Sequence, residues 1–448
     1  AMPRRPALFR FLAALSPLFL ASCGPSLDAE QGRLCRMLLP ALFSIENGLV
    51  VLESEGVSER AVHVTFRAGP EGARPRLLSC RFGGTGYSAA KRDLVAVSLD
   101  GVGLGEAQMW FLKERWLESQ IAIQTDPGPP IGERGWFQTS RIQANMLQHA
   151  IGALPRITIL ALLALATALI YGIIGRINLA FGEFAAMGGM VMTIAVSLLA
   201  AFFSGAPGMI ESLALLAVLA TTALWGHATG RFVLAPLAVR GGQPILVAGV
   251  GLLVAVQEGL RLAQGARNAW LPPVGSGGMI LASSGDFNVI VSPRFVGLAV
   301  TGVMMIALVL VFMRRSRFGM AWRAIADDAE AARLLGLDPR ATLVAASLLA
   351  TALAGLAGAF ITLFWGGMSF SGGTMLGLTG LMAAILGGIG SLGGAVITAV
   401  AIGIVQAIWM ALFPIQHWEL VSFTILTFIL VLKPGGFFGY ADGAQRHF

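Results

Sequence analysis

Charge is what this sequence has least of. Only 12% of its 448 residues are Asp, Glu, Lys or Arg, about half the share a soluble domain carries. With 56% hydrophobic residues and a mean hydropathy of +0.76, it cannot cover a water-facing surface with polar groups. It reads as a membrane protein. Lysine is scarcer still, with Lys91, Lys113 and Lys433 making up the whole set. None of them follows a glycine, so there is no G-x-x-x-x-G-K-[ST] phosphate loop and no visible means of hydrolysing ATP. The five histidines and three cysteines never adopt zinc spacing, and HExxH is missing, which excludes the common metal sites. The basic excess of 31 over 24 is mostly arginine at the ends of apolar runs. That is the pattern of the positive-inside rule, and nucleic-acid binding is excluded as a reading.

What is present divides the chain in two. Residues 1–23 carry a basic start (Arg4, Arg5, Arg10) and an apolar run over Phe11–Ala21 that is too short to span a bilayer. They read as a signal peptide, cleaved or retained as an anchor. Leu20-Ala21-Ser22-Cys23 resembles a lipobox, which makes Cys23 a lipidation candidate. Residues 24–140 hold most of the acidic side chains. Alternating stretches at Ala61–Arg67, Leu77–Phe82 and Asp93–Leu99 predict strands. Gly105–Ile121 predicts a helix, with Trp110, Leu112, Trp116 and Leu117 at helical spacing. A small α+β domain follows from this, ended by the linker Asp126–Gly135, and it lies outside the cytoplasm. Cys35 and Cys80 fall within it, where a disulfide and two buried thiols are both open readings.

From about residue 141 to 440 the chain is a polytopic all-α membrane domain of eight to ten passes, with a cytoplasmic tail at 441–448. Nine apolar runs, with Arg314–Arg323 and Lys433 inside, place residues 24–140 outside, in agreement with the signal peptide. Charges at membrane depth are functional candidates by default. Asn178, Gly182 and Glu183 stand in RINLAFGEFAAMGGM, where a glycine-broken helix can expose main-chain groups to a substrate; helix packing beside Arg176 is the plainer reading. Glu258 and Arg261, three residues apart, can pair on one helix face. Glu211 and His227 fall at predicted helix ends, as interfacial groups.

The most polar interruption is residues 317–344, RFGMAWRAIADDAEAARLLGLDPRATLV. Helical periodicity over Ala321–Leu335 places Ile325, Ala329, Ala332 and Leu335 on one side and Asp327 and Asp328 on the other. Pro339 is expected to end that helix after Gly336. A short amphipathic helix of this kind suits docking into a partner's groove.

Glu330-Ala331-Ala332 followed by Gly336 resembles the EAA---G loop of ABC importer permeases. YGIIGRINLAFGEFAAMGG (171–189), RAIADDAEAARLLGLD (323–338), LMAAILGGIGSLGGAVI (381–397) and VLKPGGFFG (431–439) together resemble permeases of the branched-chain amino acid uptake family, the LivH type. The resemblance implies the ABC importer permease fold. It also implies two separate ATPase subunits that bind ATP and Mg, a homologous second permease, a periplasmic binding protein and an inner-membrane location. No cofactor on this chain is implied. Carried over by position, Arg323, Asp327, Asp328, Glu330, Ala331, Ala332 and Gly336, within a coupling loop at 316–338, face the ATPase. Asn178, Phe181, Gly182, Glu183 and Glu258 are candidates for the translocation pathway. Phe181 stands where the family commonly has His, and residues 24–140 are not part of the ordinary pattern. Urea and short-amide permeases also carry N-terminal extensions and give an alternative cargo. An ion-coupled transporter or channel is the alternative of another class, and it needs no docking helix.

Overall fold

A computed structural model of the chain describes residues 29–43, 49–58, 60–69, 74–84, 88–117, 119, 122, 125–127, 137–203, 207–238, 242–265, 270–271, 279–284, 287–388, 390–413, 417–433 and 435–438. The signal segment with Cys23, most of the expected linker and the C-terminal tail lie outside the described residues. The chain forms two compact units, residues 1–145 with 196–212 and 272–296, and the remainder.

In the first unit, β1 (Leu49–Ser58), β2 (Ala61–Ala68), β3 (Arg76–Phe82), β4 (Leu94–Leu99) and β5 (Val102–Gly103) form an antiparallel meander in sequence order. Strand alternation decides which face is buried. Val62, Val64 and Phe66 on β2 join Leu78, Cys80 and Phe82 on β3 in one core with Leu38 and Leu39. Helix α1 (Ala29–Met37) belongs to that core through Cys35, which is disulfide-bonded to Cys80 at a Cα–Cα distance of 5.9 Å. Asp100 (φ 51°) and Gly101 (φ 83°) turn β4 into β5, the left-handed pair a two-residue hairpin demands. Asp100 accepts hydrogen bonds from the Leu77 N–H and from Arg76 Nε, both at 2.8 Å. The expected helix over Gly105–Ile121 is shorter: α2 (Glu106–Phe111) runs into one π turn, Leu112–Trp116. Leu112 is buried there, while Trp110 is 57% exposed. β1 has no counterpart in the sequence reading, because LVVLESEGVS does not alternate cleanly and β1 pairs with β2 through register shifts. A second sheet also went unread: β6 (Phe137–Gln138) lies parallel to β7 (Met279–Ser284), which pairs antiparallel with β8 (Phe287–Val291).

Thirteen α-helices are named here among the described residues, and eleven of them follow β6. They are α3 (Arg141–Ile174), α4 (Phe181–Phe202), α5 (Pro207–Thr229, continuing to Ala238), α6 (Gly242–Gln264), α7 (Pro293–Arg315), α8 (Arg317–Asp327), α9 (Ala329–Leu334), α10 (Pro339–Trp365), α11 (Gly372–Gly387), α12 (Leu392–Leu412) and α13 (Trp418–Leu432). Seven, α3–α7, α10 and α12, are long and apolar enough to cross a membrane; α11 and α13 are shorter apolar helices. Together they match the nine apolar runs. Glu211 lies near the start of α5, as its position in the sequence suggested; it is 6% exposed, and its Oε1 lies 2.8 Å from Arg294 Nη2 at the start of α7.

The membrane unit contains a repeat that the composition conceals. Residues 175–189 (GRINLAFGEFAAMGG) and 366–380 (GGMSFSGGTMLGLTG) share only three glycines. Their backbones nevertheless correspond at a constant offset of 191 residues, the separation of Glu183 and Thr374. Each segment opens on a left-handed glycine, Gly175 (φ 65°) or Gly366 (φ 88°). Each of those glycines donates its N–H to the carbonyl four residues back, Tyr171 or Thr362, at 2.8 Å. A six-residue non-helical connector then leads into α4 or α11. The preceding helices α3 and α10 are the first and sixth of the seven candidate spans, so with alternating direction they run oppositely. Opposed repeats of this kind are a recurrent plan of transporters.

The opposed helix starts

Equivalent residues of two opposed repeats meet only near their pseudo-two-fold axis, and here four of them do. A Cβ on Gly182 of α4 would strike the backbone of its equivalent, Gly373 of α11, and would come within 2.8 Å of Gly377 Cα. Thr374 Oγ1 donates to Oε1 of its equivalent, Glu183, at 2.6 Å. Further out, the contacts come in swapped pairs. Thr167 Oγ1 lies 3.5 Å from Gly380 O, and Gly358 presses on Gly189. Only glycine permits this approach, since any side chain would hold the two helix starts apart.

Of the sequence-predicted pathway residues, Asn178, Phe181, Gly182 and Glu183 are brought together and buried. They sit at a closely packed helix crossing. Asn178 is 6% exposed, and its Oδ1 accepts from the Ala180 N–H at 3.0 Å, an Asx turn that leads into α4. A Cβ on Gly249 of α6 would meet that same oxygen at 3.2 Å. The Phe181 and Phe184 rings lie 6.2 Å apart. The Glu183 side chain is fully buried, and its Oε2 has no hydrogen-bond partner. Glu258 is not part of this cluster. It is partly exposed on α6 and pairs with Arg261 at 2.7 Å, as their spacing suggested. Thr374 was missed, because a threonine in an apolar run carries no signal by itself. The recurring glycines 191 residues apart were the one clue.

The polar segment at 317–338 is built differently from the single helix expected. Ser316 caps α8 through the Gly319 N–H at 3.0 Å. Trp322, 2% exposed, lies against Gly172 of α3 and donates Nε1–H to Leu169 O at 2.9 Å. Arg323 donates to the terminal carbonyl of Met313 at 2.6 Å. Asp328 is extended (φ −148°, ψ 108°) and breaks the helix, starting α9 by accepting from the Glu330 and Ala331 N–H groups at 2.9 and 3.0 Å. Two adjacent aspartates compete locally for backbone N–H groups, which favours a cap over a helix interior. Gly336 (φ 83°) closes α9, with Gly336 N–H to Arg333 O at 2.9 Å and Leu337 N–H to Ala332 O at 3.0 Å, the Schellman pattern. Pro339 does not end this segment. It begins α10, behind the Asp338 cap. Ile325, Ala329 and Ala332 are buried as expected, but Leu335 is 81% and Leu334 90% exposed, because the break at Asp328 rotates α9 relative to α8. Among the described residues, no three His, Cys, Asp or Glu side chains group as a metal site.

Nine apolar helices among the described residues, seven of them long enough to cross a membrane, define a polytopic membrane protein. Residues 150–432 match the family described as the permease component of branched-chain amino acid transport systems, and the chain belongs to that family. It is 30% identical over 298 residues to the high-affinity branched-chain amino acid transport system permease protein BraD of Pseudomonas aeruginosa, covering 66% of this chain and 96% of that protein. It is 30% identical over 280 residues to the corresponding LivH proteins of Salmonella typhimurium and Escherichia coli K12, covering 62% of this chain and 91% of each. No solved structure matches the chain.

Proposed function

We propose that this chain is one membrane subunit of an ATP-driven importer for branched-chain or related amino acids. In this reading it pairs with a homologous permease and receives cargo from a periplasmic binding protein. It is driven by two ATPase subunits that carry the ATP and Mg. Family membership supports the transport role. The observation that carries the coupling role is α9. Its inner side, Ala329 and Ala332, is buried, while Glu330, Ala331, Arg333, Leu334 and Leu335 stand exposed. α8 is anchored behind it by Trp322 and Arg323. A rigid, double-capped helix with an outward apolar and charged tip suits a partner's groove. Arg323, Asp327, Asp328, Glu330, Ala331, Ala332 and Gly336 form or position that tip.

The arginines of the α7–α8 turn and Lys433 favour a cytoplasmic position for this loop and for the C-terminus. The sheet of β1–β5 is then periplasmic, where its disulfide is chemically at home. The test is uptake of radiolabelled leucine, with urea and an amide in parallel, in cells with and without the gene. Leucine uptake lost on deletion and restored by complementation is the expected outcome. Unchanged leucine uptake together with lost urea or amide uptake would overturn the cargo.

A further inference from the structure

We infer that the crossing of α4 and α11 is the binding site for the zwitterionic head of the transported α-amino acid. Glu183 takes the ammonium group, and the two opposed helix starts take the carboxylate. The inference rests on the amino-acid reading above and locates it at named atoms. Helices of 22 and 16 residues begin here face to face. By position, the amides of Phe181 and Gly182 on α4, and of Gly373 and Thr374 on α11, have no carbonyl a turn back to bond. Ser371, at the start of α11, makes no side-chain cap. Helix N-termini with unpaired amides favour an anion.

The second, independent observation is Glu183. It is fully buried, and Oε2, its oxygen without a partner, sits 2.9 Å from where a Cβ on Gly373 would be. It is therefore directed into the same crossing. A carboxyl in an apolar unit with a single hydroxyl donor is an expensive arrangement unless a cation completes it at some stage. A free amino acid presents both charges two bonds apart, matching an acid beside two helix starts. The site is closed here, and glycines 182, 373 and 377 are what allow it to close without a side chain in the gap. Thr374 is half-buried, so the Glu183–Thr374 bond lies at the edge of the crossing, where parting α4 from α11 first admits the ligand.

The test is leucine uptake by intact cells carrying the full-length wild-type chain, Glu183→Gln or Glu183→Asp, with chain abundance in the membrane measured alongside. Gln keeps the shape and the acceptor for Thr374 while removing the charge. Uptake should fall by about 10- to 100-fold, as loss of one charge-assisted bond implies, with wild-type abundance, while Asp keeps most of the rate. Uptake within about twofold of wild type in Glu183→Gln overturns the inference and leaves the importer reading intact. Wild-type cells that show no gene-dependent leucine uptake overturn the importer reading first. Should Glu183→Gln fail to reach the membrane, alkylation of Thr374→Cys by N-ethylmaleimide in the same cells decides. Slowing by saturating leucine supports the site, and an unchanged rate overturns it.

Discussion

Adding one methyl group at Gly182 tests whether the two repeats really close on each other. A Cβ there would press directly on the main chain of Gly373 and stand 2.8 Å from Gly377 Cα, where carbon atoms ordinarily keep 3.5–4.0 Å. The obstacles are backbone atoms, so no rotamer change relieves them, and α4 and α11 must part by about 1 Å. Overpacking of this sort costs about 1–3 kcal/mol. At roughly 2–4 °C per kcal/mol, or somewhat less in a chain of this size, Gly182→Ala should melt about 2–10 °C below wild type. Gly251→Ala is the matched control, since a Cβ on Gly251 of α6 meets nothing within 4 Å. It should be neutral or slightly stabilising, because alanine restricts the unfolded chain. Thermal unfolding of the purified full chain in detergent, followed by intrinsic fluorescence, compares them directly. Equal melting temperatures for the two variants would refute the closed crossing.

Asp328→Ala removes the acceptor for two first-turn amides of α9 and should destabilise that helix by about 1 kcal/mol, whereas Asp328→Asn keeps the cap. Leucine uptake should accordingly fall with Ala and persist with Asn, and equal uptake would count against the cap. Replacing Cys35 and Cys80 with serine opens a link across 45 residues, worth about 4 kcal/mol in loop-closure entropy. The sheet of β1–β5 should then become sensitive to trypsin while the membrane helices remain intact; unchanged resistance would contradict this. The N–H of Leu77, and then the Arg76 guanidinium, hold the Asp100 carboxyl below its ordinary range. A depressed acid contributes its full stability above the unfolded value near about pH 4, and loses it as pH falls through the folded value. Hydrogen exchange over β3 and β4, corrected for intrinsic rates, should lose protection in that acid window. A step of the same size in Asp100→Asn would exclude Asp100 as its source.

Composition alone determined that the chain is a membrane protein with about nine apolar segments, because the bilayer requires runs of fixed length and polarity. Strict alternation determined β2, β3 and β4, and the polar interruption at 317–338 marked a surface element. The helix break at Asp328 stayed hidden, since periodicity over Ala321–Leu335 is blind to a backbone that turns at a single residue. Asn178, Gly182 and Glu183 stood out because polar and small residues are conspicuous in apolar runs. What they do there was decided by tertiary structure. The repeat of 175–189 at 366–380 shares little more than glycines, because its requirement is close backbone approach and left-handed φ, which constrain main chain and leave most side chains unconstrained. Pairing of Glu183 with Thr374 therefore had no local signature. It arises because two opposed segments, 191 residues apart, place equivalent positions on one axis, and a one-dimensional pattern does not record which distant residues an axis brings together.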